Sequence, residues 1–258
     1  MNIDAIAFDF GNTLCPWDEE QYWQVTKSTL EHIRNGYSID HVFKVFSRIR
    51  DKARAKNIPR LVENDLAAIL GDTLKELTAQ PYSKSDLDDL INNHVKAFVN
   101  VCNSPDGLNA MLNSLHNKYR LAVVSNYPIP ECIRMSLRRI KIDHYFETTI
   151  VSGDLGVMKP SCRIFDKALS ALSLPPEKVL FVGDDWIADI IGAWTSGMPC
   201  VHIKNGSKQK PETNINTFGA YLEKALDLPE LSGWQEAKPI AVLNSVLELG
   251  KWLEEQAE

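Results

Sequence analysis

Residues 3–14 read Ile-Asp-Ala-Ile-Ala-Phe-Asp-Phe-Gly-Asn-Thr-Leu, a short apolar run that ends in the polar turn Gly11-Asn12-Thr13. Such a run, bounded by turn residues, is typical of a buried strand. Three later apolar runs also end in polar residues, namely 121–124, 179–182 and 199–203. Each of the four is therefore predicted to be a strand that delivers side chains to a loop.

The segments between the later strands carry apolar residues at helical spacing, for example Leu108, Met111, Leu112 and Leu115. Strands that alternate with helices predict a parallel sheet with helices on both faces. The sequence thus predicts a three-layer, Rossmann-like α/β core. In such folds ligands bind beyond the carboxyl ends of the strands, where the polar residues of the four runs lie.

Residues 15–103 interrupt this alternation, because they contain four helical patterns and no convincing strand. The last of the four opens with Ser83 and Asp86 at the spacing of a capping box. We therefore expect a helical cap domain at 15–103, inserted into a discontinuous catalytic core made of 1–14 and 104–258. Residues 204–238 are rich in Lys, Pro, Asn and Gly, and they are predicted to be a surface excursion before a final helix around 242–253.

A basic run in the second helical pattern has two interpretations. A solvated helix face is the interpretation favoured by charge patterning, and a grip on a substrate anion by one or two of its members is the alternative. The run comprises Lys44, Arg48, Arg50, Lys52, Arg54, Lys56 and Arg60.

Composition excludes several function classes. The chain of 258 residues is 44% hydrophobic and carries 28 Lys plus Arg against 34 Asp plus Glu, a net charge of -6. Such a surface repels nucleic acid and anionic lipid, so neither is expected as a partner. The five cysteines are scattered without a CxxC pair, which indicates neither a disulfide framework nor a zinc site. No signal peptide or membrane span is evident, so we expect a cytoplasmic protein.

Three aspartates follow predicted strands and suggest metal-assisted chemistry. Asp9 follows the first strand, and Asp184 and Asp185 follow the run 179–182. A carboxylate can attack a phosphoryl group only if a cation neutralises the approach, and carboxylate oxygens are ligands that Mg²⁺ prefers. Compensation of a helix dipole is the alternative, but it explains one aspartate better than three.

Four motifs, in order, resemble those of the haloacid dehalogenase-like hydrolases. The first is Asp9-Phe10-Gly11-Asn12-Thr13 after apolar residues, against the family pattern D-x-D-x-T. The others are Ser125-Asn126, Lys159-Pro160 and Gly183-Asp184-Asp185, the last followed by Asp189. The resemblance covers residues 1–14 and 104–203, and it implies a hydrolase that cleaves a small phosphorylated substrate.

The resemblance also implies a role for each motif residue. Asp9 would be the nucleophile, and Mg²⁺ would be held by Asp9, the Gly11 carbonyl and Asp184, with Asp185 binding directly or through water. Lys159 would pair with Asp9 and a phosphate oxygen. Ser125 and the Asn126 amide would donate to phosphate oxygens, and Thr13 would brace the nucleophile loop. Asp189 is expected either to orient a neighbour or to cap its helix.

Gly11 is the main departure from the resembling phosphatases, which carry there a second aspartate that serves as general acid and base. Glycine keeps a carbonyl for the metal but has no proton to give. Two alternatives to a magnesium-dependent phosphatase therefore remain. One is a metal-free haloacid dehalogenase, although the paired Asp184 and Asp185 argue for phosphate. The other is a catalytically weakened member that binds a phosphorylated metabolite or a protein. The substrate and the oligomeric state are not indicated.

Overall fold

The computed structural model describes residues 2–79, 82–204 and 218–256. Within them, six parallel strands form one sheet in the order β3-β2-β1-β4-β5-β6. The strands are β1 Ala5–Phe8, β2 Arg120–Ser125, β3 Phe146–Val151, β4 Val179–Gly183, β5 Cys200–Ile203 and β6 Ala241–Leu243.

Helices fill the connections between these strands. They are α1 Glu19–Glu31, α2 Ile39–Asn57, α3 Leu66–Thr78, α4 Lys84–Val101, α5 Leu108–His116, α6 Pro130–Arg139, α7 Ser152–Leu155, α8 Cys162–Leu172, α9 Gly192–Thr195, α10 Phe218–Glu223 and α11 Leu249–Glu255. None of the described helices is both long enough and apolar enough to cross a membrane.

The sheet is covered on both faces because its central strands carry apolar residues at consecutive positions, such as AIAF in β1 and LAVV in β2. In β1, Ile6 and Phe8 belong to one buried cluster with residues of α5, α6 and α11, whereas Ala5 and Ala7 belong to another with residues of α8. Side chains of a strand alternate between the two faces, so each face packs on its own helical layer. The predicted three-layer α/β core is confirmed.

The four helices between β1 and α5 pack mainly on one another. Leu30, Phe46, Leu70 and Leu90, one from each of α1 to α4, share a buried cluster. Side-chain caps begin all four helices, and the predicted capping box of Ser83 at α4 is present. The segment between β1 and α5 therefore consists mainly of helices that share a core of their own, and its role as a cap domain stays a prediction.

The structure adds two strands that the sequence pattern did not indicate. β3 is an edge strand of sequence FETTIV, in which polar residues interrupt the apolar run, and β6 has only three residues. The final helix begins at Leu249 and not near 242, because residues 241–243 pair with β5.

Part of the predicted surface excursion at 204–238 falls at 205–217, outside the described residues. Its second half contains α10, where Tyr221 and Leu222 are buried. They pack against Ile58 and Leu61, which follow α2, so this part of the excursion contributes to a core.

Candidate active site

The candidate site lies at the carboxyl edge of the central strands. Asp9 directly follows β1, Ser125 ends β2, and Asp184 directly follows β4. The backbone amide of Asp9 donates to the carbonyl of Val182 at 2.9 Å, which ties the start of the loop to the neighbouring strand. Parallel strands end at the same edge of a sheet, so residues more than 100 positions apart in sequence meet here.

The loop after Asp9 folds back tightly on itself. The amides of Leu14 and Cys15 both donate to the Phe10 carbonyl at 2.9 Å, and Asn12 takes a positive φ of 55°. Asparagine tolerates this left-handed conformation better than most residues. The Asn12 side chain also accepts from the Trp17 amide at 2.9 Å. These contacts set the position of Asp9 relative to the segment that leads into α1.

Lys159 is the centre of the site, and only 1% of its surface is exposed. Its ammonium donates to Oδ1 of Asp9 at 2.6 Å, to Oδ1 of Asp189 at 2.7 Å and to the Val124 carbonyl at 2.8 Å. Burial lowers the pKa of Lys159, but the two carboxylates outweigh it and leave the pKa raised. The lysine therefore stays charged and carries three short hydrogen bonds.

Asn126 holds the backbone of Lys159 and not its side chain. The Asn126 amide nitrogen donates to the Lys159 carbonyl at 3.0 Å, and its Oδ1 accepts from the Lys159 amide at 2.7 Å. The side chain predicted to bind phosphate is thus engaged with the third motif.

Asp9, Asp184 and Asp189 form a carboxylate cluster, in which one oxygen from each lies within 4.8 Å of the others. Burial raises the pKa of Asp9 to about 7, although the charge of Lys159 opposes this rise. Burial and the charges of Asp9 and Asp189 raise the pKa of Asp184 to about 9. Three carboxylates face one ammonium, so the ionised cluster has an excess of two negative charges.

Asp185 and Asp189 both make contacts around the helical turn that follows β4. Oδ1 of Asp185 accepts from the amides of Ile187 and Ala188 at 2.9 and 2.7 Å, which caps the helical turn Trp186–Ile191. Asp189, 1% exposed, pairs with Lys159 through one oxygen and accepts from the Asp185 amide at 2.9 Å through the other. Asp189 therefore contacts both the Lys159 ammonium and the Asp185 backbone, and the helical turn that follows β4 is capped by Asp185 and not by Asp189.

Close packing around Asp189 explains Gly183 at the end of β4. A Cβ atom on Gly183 would lie 2.4 Å from Cγ of Asp189, far inside van der Waals contact. The sequence signal for Asp189 was a lone charge within the apolar run Ala188–Ile191. A charge buried in such a run needs a partner, and the partner is Lys159.

The remaining predicted site residues make no side-chain hydrogen bonds with the described residues. Ser125 is 3% exposed, and its hydroxyl makes no hydrogen bond with the described residues. The Thr13 hydroxyl is buried and likewise has no partner among them. Gly11 has open space beside it, because an added Cβ would meet no atom within 4 Å. The predicted bracing by Thr13 therefore does not take the form of a side-chain hydrogen bond in the described residues.

Comparison with known proteins finds a family match over residues 36–203, more than half of the chain, described as haloacid dehalogenase-like hydrolase. A glyceraldehyde 3-phosphate phosphatase of Methanopyrus kandleri is 26% identical over 96% of this chain and 99% of its own length. A pyrimidine 5'-nucleotidase of Escherichia coli is 27% identical over 82% of this chain and 91% of its own length.

Solved structures share the architecture. A 2-haloacid dehalogenase from Pseudomonas syringae superposes with a TM-score of 0.66 at 18% identity, covering 98% of this chain and 99% of that one. At that identity the similarity shows the fold alone.

Proposed function

Because the chain belongs to the haloacid dehalogenase-like hydrolase family, we propose that it is a magnesium-dependent phosphatase that cleaves a small phosphorylated metabolite through an aspartyl-phosphate on Asp9. The predicted family and the assignment as a hydrolase are confirmed by the matches, and the relatives are phosphatases and nucleotidases by name. The observation that carries the proposal is the carboxylate cluster around Lys159.

The residues present fit a divalent cation. Carboxylate oxygens are the ligands that Mg²⁺ prefers, and the cluster's excess of two negative charges matches the charge of the ion. Asp9 and Asp184 would hold the metal, with the Gly11 carbonyl, because both oxygens of Asp189 already accept hydrogen bonds. When bound, Mg²⁺ supplies positive charge that keeps these carboxylates ionised and neutralises phosphate oxygens. Oδ1 of Asp185 accepts from two backbone amides, so its other oxygen would contact the metal through a water molecule.

Asp9 is the proposed nucleophile. One of its carboxylate oxygens attacks phosphorus, the ester P–O bond breaks, and the bonding pair leaves on the alcohol oxygen. The departing alkoxide takes a proton from solvent. Water then attacks phosphorus and gives a proton back to solvent, the bond between phosphorus and Asp9 breaks, and phosphate leaves with the carboxylate restored. Lys159 holds Oδ1 of Asp9 at 2.6 Å, which fixes the carboxylate for attack and places positive charge where phosphate oxygens gather.

The end of β2 supplies donors for the phosphate. Ser125 and Asn126 directly follow Val124, whose carbonyl accepts from Lys159, and the Ser125 hydroxyl and Asn126 backbone N–H are the proposed donors. Hydrogen bonds from such fixed groups stabilise the charge that develops on phosphate oxygens during transfer. Thr13, whose buried hydroxyl has no partner among the described residues, is a further donor within the nucleophile loop.

Gly11 limits the range of leaving groups. With no side chain at this position to protonate the departing oxygen, leaving groups that are weak bases are favoured. Aryl and acyl phosphates should therefore react measurably, and phosphates of simple alcohols slowly.

The test compares native protein with Asp9→Asn and with Asp4→Asn as the matched control. Asp4 also flanks β1, but its partner is Lys178, at 3.6 Å. We expect phosphate release from 4-nitrophenyl phosphate to require Mg²⁺, to vanish in Asp9→Asn, and to persist in Asp4→Asn. Undiminished turnover by Asp9→Asn would refute the nucleophile.

Two other outcomes would replace the proposal. Chloride release from 2-chloropropionate without metal would support the dehalogenase alternative. Tight binding of phosphorylated metabolites with no turnover in any metal would support the catalytically weakened alternative.

A further inference from the structure

A cavity of about 220 Å³ separates the cap helices from the core beside the candidate site. On the core side it reaches Asn126, which follows Ser125, and Met158, which precedes Lys159. On the cap side it is lined by Arg50 and Arg54 of α2. A phosphate bound at the ends of the strands would therefore have the rest of its molecule facing these arginines.

Among the residues of the basic run, Arg50 and Arg54 are the two that line the cavity. Residues four apart in a helix share a face, and Arg50 and Arg54 share the face turned to the cavity. Lys44, Lys52, Lys56 and Arg60 are exposed, as is Arg48, which pairs with Glu76 on α3. The basic run is thus a solvated face with two members turned inward.

Arg50 already has partners within the protein. Its Nε and Nη2 atoms both lie 3.0 Å from Oδ1 of Asp51, and its Nη1 donates to the Tyr22 hydroxyl. The Arg54 guanidinium, in contrast, makes no hydrogen bond or ion pair with residues 2–79, 82–204 or 218–256. A half-buried guanidinium without an acceptor is unusual, because its five donors need partners.

Glu63, the acidic group that lines the same cavity, interacts with the charge of Arg54 but makes no hydrogen bond or ion pair with it among the described residues. Oε1 of Glu63 accepts from the Asn64 amide at 2.7 Å, and its Oε2 accepts from the Ser152 hydroxyl. Burial and the neighbouring charge of Arg50 lower the pKa of Arg54. The charge of Asp51 offsets only part of this effect, since the pKa of Arg54 stays lowered, and an anion in the cavity would give the guanidinium a direct partner.

We propose that Arg54, with Arg50 beside it, binds a second anionic group of the substrate, a carboxylate or a second phosphate. The inference rests on the proposed function and specifies its substrate class: a compact phosphate ester with another negative charge. The cavity is smaller than the roughly 300–1,000 Å³ of pockets for drug-sized ligands, which favours a small molecule. Arginine suits this role because its planar fork pairs with either anion through two hydrogen bonds.

The experiment measures kcat/KM for phosphate release in Mg²⁺ from phenyl phosphate, 3- and 4-carboxyphenyl phosphate and 1,4-phenylene bisphosphate. The proteins are native, Arg54→Gln, Arg54→Lys and, as matched control, Arg48→Gln. For each protein the rate with a doubly anionic ester is divided by that with phenyl phosphate, which cancels changes in expression, folding or chemistry. Comparing variants with native protein cancels differences between the leaving groups.

We expect native protein and Arg48→Gln to prefer a doubly anionic ester, and Arg54→Gln to lose about 10- to 100-fold of that preference, the value of a charged hydrogen bond. Arg54→Lys should fall between them, because it keeps the charge and loses the fork. Whichever ester is preferred identifies the second anion as carboxylate or phosphate. A preference that is absent in native protein, or that persists in Arg54→Gln, would overturn the inference.

Failure of the proposed function gives a different result. If native protein hydrolyses none of the esters, the phosphatase proposal fails, and calorimetric binding of the same esters decides the role of Arg54. Tighter binding of a doubly anionic ester by native protein than by Arg54→Gln would still support the inference. Equal binding by both proteins would contradict it.

Discussion

Restoring an acid at Gly11 should restore turnover of poor leaving groups. An added Cβ at Gly11 meets no atom within 4 Å, and Gly11 is not among the residues with positive φ, so an aspartate enters without steric or backbone strain. The neighbouring carboxylates are already crowded, and they contribute to pKa values of about 7 for Asp9 and about 9 for Asp184. In metal-free protein the same neighbours would raise the pKa of a carboxyl at position 11, and bound Mg²⁺ would offset this effect.

A positioned general acid contributes about 100- to 10,000-fold in rate, which corresponds to roughly 3–5 kcal/mol of activation free energy. We expect Gly11→Asp to gain this factor on alkyl phosphates, whose leaving oxygens need a proton. Aryl phosphates should gain about tenfold or less, because their leaving groups are weaker bases. The dependence of rate on leaving-group pKa should therefore become shallower.

The assay measures kcat/KM across aryl and alkyl phosphates of graded leaving-group pKa for native protein, Gly11→Asp and Gly11→Asn. Gly11→Asn has nearly the same shape but cannot give up a proton, so it separates acid catalysis from space filling. Fast alkyl-ester turnover by native protein would show that another group supplies the proton. Equal gains in Gly11→Asp and Gly11→Asn would refute acid catalysis at this position.

Three further predictions concern the stability of the site. Lys159→Met should lower the free energy of unfolding by about 3–5 kcal/mol in urea titrations, because it leaves buried carboxylates unpaired. Lys178 is half-exposed, so Lys178→Met should lower the free energy of unfolding by about 1 kcal/mol or less. Equal losses in the two variants would contradict this account. Gly183→Ala should lower the free energy of unfolding by about 1–3 kcal/mol and reduce activity, because its Cβ would lie 2.4 Å from the carboxyl carbon of Asp189. In the control Gly219→Ala the added Cβ meets no atom within 4 Å, so the change should be neutral or stabilising. In metal-free protein, the free energy of unfolding should fall as pH rises from about 4 to about 9. Burial raises the pKa of Asp184 from 3.8 to about 9, so over this range the folded state holds a proton that the unfolded state has released. Saturating Mg²⁺ should remove this decline, and a urea midpoint that does not change with pH in metal-free protein would disprove the prediction.

Local patterns in the sequence determined the core of the fold. Four apolar runs ending in polar residues predicted the strands that became β1, β2, β4 and β5, since burial on both faces requires apolar residues at every position. The polar residues after these strands predicted the site, because parallel strands end at one edge. β3 and β6 escaped detection because edge strands are partly exposed and their patterns are weak.

Contacts between distant segments decided the rest. Lys159 could be predicted to pair with Asp9, but its second pairing with Asp189 depends on the helical turn after β4 and on the space left by Gly183. The direction of Arg54 likewise follows from how α2 packs against α1 and α3, which determines which side of that helix faces the cavity. Periodicity assigns residues to the faces of a helix, but only tertiary packing determines what each face meets.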